Sequence, residues 1–122
     1  DILFHLKEKK KTICISTHSL NEVDRICSDV AIIKNGKLLK SSPMEILHNE
    51  KRFYRLETSH LSDAVKFIKE QKSIDIIYKQ KNSIIVSQNI KKNDMKFDLI
   101  KDKTNSVKSI QRESPLIQFF YA

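Results

Sequence analysis

Hydrophobic residues follow two different periods near the start of this chain. Residues 2–9 place Ile2, Leu3 and Leu6 at helical spacing, which predicts the end of an amphipathic helix. Residues 12–17, TICIST, form a nearly continuous apolar run that is rich in β-branched side chains. That pattern is typical of a strand covered on both faces in a parallel sheet, so we predict a buried parallel strand there.

A helix is predicted directly after this strand. Residues 19–22, SLNE, have the pattern of a capping box, in which Ser19 and Glu22 each bind the other's backbone N–H. The apolar side of this helix is expected to contain Leu20, Val23, Ile26 and Cys27.

The next pattern predicts a hairpin and another helix. An apolar strand at residues 30–33 meets Asn35-Gly36, a strong signal for a type I′ turn, and residues 37–40 form the returning strand. The Ser-Pro pair at residues 42–43 then supplies a helix N-cap followed by proline at the first helical position.

The pattern changes near residues 49–52, and we place a domain boundary there, between residues 1–50 and residues 51–122. The second part reads as strand, helix, strand, strand, helix and strand, the order of a split βαβ, or ferredoxin-like, α+β domain. Those six elements are predicted at residues 53–57, 62–71, 74–78, 83–87, 94–101 and 107–110. The chain as a whole is therefore expected to be an α/β protein.

Charge and cysteine usage narrow the class of protein. The net charge is +8, but 19 of the 23 basic residues are lysines scattered along the chain, which favours a solvated surface over a nucleic-acid site. Cys14 and Cys27 lack the spacing of a zinc site, so we predict no metal centre. We expect both to be buried free thiols, the state typical of a reducing cytosol.

Gly36 is the one glycine of the sequence. A phosphate-binding P-loop needs at least two glycines, because its backbone must turn tightly and approach the phosphates closely. The chain by itself is therefore predicted to bind no nucleotide and to hydrolyse none.

His18 is the residue most suggestive of chemistry. It follows the predicted strand and precedes the predicted helix, and ligands of open α/β sheets lie beyond the carboxyl ends of the strands. A neutral imidazole there can hold one hydrogen bond to a phosphate oxygen and orient a water molecule. From its position alone, an ordinary surface histidine is the better explanation of His18, as it is of His5, His48 and His60.

Residues 12–39 as a whole resemble the switch-histidine region of ABC-type ATPases. In that family an apolar strand ending in Ser-Thr-His leads into a helix with Glu, then an Asp-x-Val/Ile strand and a hairpin with glycine. The matching positions are Ser16, Thr17, His18, Glu22, Asp29, Val30 and Gly36.

The last residues of the chain, 107–121, resemble the closing strand and helix of the small C-terminal domain found on drug- and ABC-2-type export ATPases. The family usually has Pro-Ser-Leu-Glu-Asp-Val-Phe there, and this chain departs from that pattern with SPLIQFF at residues 114–120.

The resemblance implies that residues 1–50 are the C-terminal part of an ABC ATPase domain of the P-loop NTPase type, and that residues 51–122 are an accessory domain. It implies that His18 is the switch histidine, which contacts the γ-phosphate of ATP and helps to position the attacking water, with Mg²⁺ present in the intact subunit. The other nucleotide motifs are expected upstream of Asp1, which makes the chain a fragment. The implied partners are a transmembrane permease and a second ATPase subunit, at the cytoplasmic face of a membrane.

Two other functions remain open at this point. A basic split-βαβ domain can stack RNA bases on sheet aromatics, although Phe53 and Tyr54 are adjacent and so point to opposite faces. Residues 53–122 also suit a small-ligand regulatory module. The aromatic run Phe119, Phe120 and Tyr121 is expected to pack on the sheet; an interaction patch is the alternative.

Overall fold

The computed structural model describes residues 2–71, 73–89 and 106–121. It has a mixed α/β fold with two antiparallel sheets, and the chain divides into two compact units, one up to Ile46 and one from Leu47 onward. The predicted boundary falls four residues later, and its assignment to an ATPase part and an accessory domain stays a prediction.

The first unit contains two short helices and a hairpin. Its elements are α1 (Ile2–Glu8), α2 (Leu20–Ile26), β1 (Asp29–Lys34) and β2 (Lys37–Pro43). Helix α3 (Met44–Glu50) begins in this unit and continues into the second.

The hairpin confirms the predicted turn. Asn35 and Gly36 have φ angles of 54° and 74°, so both central residues adopt the positive φ that a type I′ turn requires. Strands β1 and β2 pair antiparallel, with Val30 opposite Ser42 as a buried pair.

The predicted strand at residues 12–17 is wrong for this structure. These residues form no regular element, and their side chains are exposed or half-buried. A strand needs a neighbour to complete its hydrogen-bond ladder, and the two described strands of this unit pair with each other. The apolar run therefore stays unpaired, and the described strands form no parallel sheet.

The helix start at residues 42–43 is also wrong. Ser42 and Pro43 lie in β2, and the Ser42 hydroxyl donates to the Pro43 carbonyl instead of capping a helix. Helix α3 begins at Met44, whose N–H donates to the Ser28 carbonyl at 2.8 Å. Strand β2 pairs with β1 through both of these residues, so they belong to a strand and do not start the helix as expected.

The second unit is built on a four-stranded antiparallel sheet of order β4-β5-β3-β6. Its elements are β3 (Lys51–Thr58), α4 (Leu61–Lys69), β4 (Ile74–Lys79), β5 (Ser83–Asn89), β6 (Val107–Glu113) and α5 (Ile117–Phe120). All four predicted strands and the first predicted helix are present, whereas the helix predicted at residues 94–101 lies outside the described residues.

Helix α4 covers one face of this sheet. Ala64 and Ile68 on the helix are fully buried against a cluster that includes Leu56, Ile84 and Val86 of the central strands. The strand residues are paired across β3 and β5, Leu56 opposite Ile84, so their side chains share the face that meets the helix. This cluster is the core of the second unit.

Neither cysteine is fully buried. Cys14 is exposed and Cys27 is half-buried, and both are free thiols. The prediction of two buried thiols is therefore wrong, because residue 14 lies in the segment that forms no strand.

Candidate functional site

His18 lies on the surface of the first unit, between the irregular segment 11–17 and helix α2. Its side chain is exposed, as are those of Ser16 and Thr17 before it. The predicted position just ahead of a helix is confirmed, but the end of a parallel strand is not. The exposed imidazole is accessible to a ligand or to another part of a protein.

The backbone around His18 is fixed by a short turn. The Ser19 N–H donates to the Thr17 hydroxyl oxygen at 3.0 Å, so one hydrogen bond spans the histidine. Ser19 is the N-cap of α2, as predicted, but its side chain makes no capping bond. The Ser19 N–H that the Glu22 carboxylate was expected to bind is already used, and the predicted capping box does not form.

The far end of α2 is tied to α1. The Lys7 ammonium donates to the Ile26 carbonyl at 2.6 Å, and a cation at the end of a helix is favourable for the exposed carbonyls there. Ile26 itself is buried, with 6% of its surface exposed, and the Cys27 N–H donates to the Val23 carbonyl. These contacts hold the short helix that follows His18.

The other residues of the family pattern have structural roles in this unit. Asp29 accepts a hydrogen bond from the Ser28 hydroxyl at 3.2 Å and begins β1, Val30 is buried, and Gly36 forms the turn. Glu22 is exposed on the first turn of α2. Within the described residues, no group of three or more His, Cys, Asp or Glu side chains could hold a metal ion.

A second cluster, on the sheet of the second unit, was missed by the sequence analysis. The Arg55 Nε donates to the Glu113 carboxylate at 2.8 Å, and both side chains are partly buried. This hydrogen bond, opposed by desolvation, raises the pKa of Arg55, and the nearby Tyr121 side chain adds to the rise. Tyr121 in turn stacks on Tyr78 with ring centroids 4.1 Å apart. The sequence contained only an indirect signal of this cluster. Arg55 and Glu113 lie in neighbouring strands, but the strand register that brings their side chains together was not predictable.

The stacking of Tyr121 on Tyr78 confirms the predicted packing on the sheet for Tyr121, whereas Phe120 is 62% exposed. The same packing weighs against RNA binding by base stacking on this sheet. Phe53 is 1% exposed, Tyr54 packs against the core cluster, and Tyr121 occupies one ring face of Tyr78, which remains 40% exposed. Open aromatic rings on the sheet surface are what such binding requires.

A polar cleft with a volume of about 520 Å³ is lined by residues of the same sheet and of the loops beside it. Arg55, Glu57, Asn82 and Lys108 are among the residues that line it. It is open and carries charges of both signs, whereas small-molecule sites are typically concave and mostly apolar. The cleft therefore gives little support to the alternative that residues 53–122 are a small-ligand regulatory module.

Curated proteins with related sequences are ATP-binding components of ABC transporters. An uncharacterised ABC transporter ATP-binding protein of Methanocaldococcus jannaschii is 47% identical over 45 residues, which are 37% of this chain and 17% of that protein. An uncharacterised ABC transporter ATP-binding protein of Synechocystis is 39% identical over 54 residues, 43% of this chain and 15% of that protein. The bacitracin transport ATP-binding protein BcrA of Bacillus licheniformis is 42% identical over 48 residues, 39% of this chain and 16% of BcrA.

The matched stretches thus span about one sixth of the length of these relatives. No protein-family model matches the chain. No solved structure matches it either. Within the described residues, no helix is long and apolar enough to span a bilayer. The sequence matches confirm the resemblance found above: part of this chain is homologous to part of the ATP-binding proteins of ABC transporters.

Proposed function

We propose that this chain is a part of the ATP-binding subunit of an ABC transporter, and that His18 is the switch histidine of that subunit. The observation that carries the proposal is the sequence identity to four ABC transporter ATP-binding proteins, 33–47% over 45–57 residues. The exposed imidazole before α2 supports the role of His18, because a group that contacts a nucleotide must be accessible.

The residues present supply one phosphate contact and no complete nucleotide site. The chain has one glycine, and it forms a hairpin turn with open space around it. The described residues contain no cluster suited to Mg²⁺. ATP and Mg²⁺ would therefore be held mainly by other residues of the intact subunit, and the 122-residue chain is proposed to be inactive alone.

The proposed contribution of His18 is positional. Its imidazole would donate one hydrogen bond to an oxygen of the terminal phosphate and help to orient the attacking water. Phosphoryl transfer depends on such positioning and on charge stabilisation. The turn closed by Ser19 and Thr17 would keep the ring at the start of α2.

We further propose that the second unit is a ferredoxin-like accessory domain. The strand order β4-β5-β3-β6 and the position of α4 after β3 support this arrangement. In the intact protein the ATPase subunit would pair with a second copy and with a transmembrane permease, at the cytoplasmic face of the membrane.

Replacement of His18 in the intact subunit tests the proposal. His18→Ala is expected to lower steady-state ATP hydrolysis by about 10²-fold or more, the effect of removing one aligned donor. Binding of a fluorescent ATP analogue should be retained. His5→Ala, which removes another exposed histidine, is the matched control and should hydrolyse ATP at the normal rate. Normal turnover in His18→Ala would remove His18 from the mechanism.

A further inference from the structure

The tip of the β1–β2 hairpin presents apolar side chains to the solvent. Ile33, Leu38 and Leu39 are all exposed there. Ile33 lies directly opposite Leu38, and residues that are paired in this way point to the same face of a hairpin. The hairpin tip, residues 33–40, therefore carries a small apolar face that the described residues of this unit leave uncovered.

The same hairpin tip is rich in positive charge. Lys34 and Lys37 are paired directly opposite each other beside the turn, Lys40 follows in β2, and all three side chains are exposed. Residues 30–44 contain no aspartate or glutamate. Like charges that lie directly opposite on a hairpin are unfavourable, so a negatively charged partner would relieve this cost.

The surface of an anionic bilayer has the chemistry that matches both features. Aliphatic side chains enter the boundary between the headgroups and the acyl chains, while lysines extend their ammonium groups to the headgroups. Each lysine close to an anionic bilayer strengthens binding by about fivefold. A second copy of this chain would instead bring its own lysines into the contact, and their repulsion opposes a close pair.

We propose that the hairpin tip is a docking site for a bilayer that contains anionic phospholipids. Its aliphatic side chains enter the interface, and its lysines bind the phosphate groups of the lipids. The contact is peripheral and reversible, because so few aliphatic side chains bury too little surface for permanent insertion. It does not depend on the proposed role of His18, so the 122-residue chain is sufficient to test it.

A single introduced tryptophan can report on the contact, because the sequence contains none. Leu38→Trp places it on the hairpin tip, and Phe120→Trp, at an exposed apolar position of the second unit, is the matched control. Each variant is titrated with vesicles of phosphatidylglycerol and phosphatidylcholine in equal amounts, and with vesicles of phosphatidylcholine alone. The emission of Leu38→Trp should shift to the blue with the anionic vesicles only, and the control should not shift. The shift should be lost at about 1 M salt, where charges are screened beyond roughly 3 Å.

Charge variants test the lysines in the chain without tryptophan, by sedimentation with the anionic vesicles. Lys37→Gln with Lys40→Gln should weaken binding by about tenfold or more. Lys66→Gln with Lys69→Gln is the control, since it removes the same charge from exposed positions of α4. The control should change binding by less than about twofold, because those lysines lie outside the proposed contact.

Several results would overturn the inference. An equal loss of binding in the two lysine variants would show that the net charge of +8, and not the hairpin tip, attracts the bilayer. Equal shifts of both tryptophans, equal shifts with both kinds of vesicle, or no shift at all would overturn it as well. A blue shift of Leu38→Trp that follows protein concentration and is the same with or without vesicles would assign the apolar face to contacts between copies of the chain.

Discussion

Ile33 lies directly opposite Leu38 in the hairpin of the first unit, and both side chains are largely exposed, at 70% and 62%. A cross-strand apolar pair normally stabilises a hairpin by burying its side chains, whereas most of the surface of this pair is exposed to water. Exposed apolar pairs promote association, and among the described strands no third one pairs with either edge of this hairpin, which promotes it further.

This pair predicts the solution behaviour of the isolated chain. Replacing both residues, Ile33→Thr with Leu38→Thr, should reduce self-association measured by light scattering. The free energy of unfolding should fall by about 1 kcal/mol or less, because little burial is lost. Val30→Thr, at a buried position of the same strand, should instead mainly destabilise the unit. Unchanged association in the double variant would contradict the role of the exposed pair.

The sequence predicted local structure better than it predicted pairing between segments. The hairpin at Asn35-Gly36 was predictable because the two residue types favour the positive φ that the turn needs. The strand at residues 12–17 was not, since its apolar pattern specifies burial but cannot supply a neighbouring strand. The predicted capping box does not form for a local reason. It requires the Ser19 N–H, and this N–H donates to the Thr17 hydroxyl instead.

The candidate site was predictable only in part. Its position just ahead of a helix followed from the sequence, whereas the irregular segment before it was predicted as a strand. The matches to ABC transporter ATP-binding proteins confirm the family resemblance of part of the chain. The Arg55 cluster depends on strand register and on the path of residues 114–121. A hairpin turn fixes the register of the strands it joins, but β3 and β6 are distant in sequence and are joined by no such turn.

Gly36 should be required for its backbone geometry alone. Gly36→Ala should lower the free energy of unfolding of the hairpin unit by about 1 kcal/mol, because an L-residue is strained at φ of 74°. A Cβ there would meet nothing within 4 Å, so no steric clash adds to the cost. D-alanine introduced by chemical synthesis is the control, since it adopts positive φ without strain. Equal loss with both residues, in thermal unfolding followed by circular dichroism, would contradict this explanation.

Ile68 should be among the most sensitive core positions of the second unit. It is fully buried between α4 and the sheet, and Ile68→Ala should cost about 2–5 kcal/mol through lost burial and the cavity left behind. The neighbouring Lys69→Ala, at an exposed position, should change stability by about 0.5 kcal/mol or less. Urea unfolding measures both. A similar loss in the two variants would show that α4 does not pack as described.

The chain on its own should release no phosphate from Mg-ATP. A phosphate cradle requires closely approaching backbone amides, and the single glycine lies in a hairpin turn instead. Phosphate release above the buffer rate, removed together with the protein by immunodepletion, would contradict the proposal that most of the nucleotide site lies elsewhere.

The nitrogen chemical shifts of the His18 imidazole test the central claim most directly. In the intact subunit with labelled histidine, the ring nitrogens should shift on binding of a slowly hydrolysed Mg-ATP analogue and stay unchanged with Mg-ADP, because the proposed contact is to the terminal phosphate. Assignment is made by comparison with His18→Ala. Equal shifts with both nucleotides, or no shift with the ATP analogue, would contradict the proposed role.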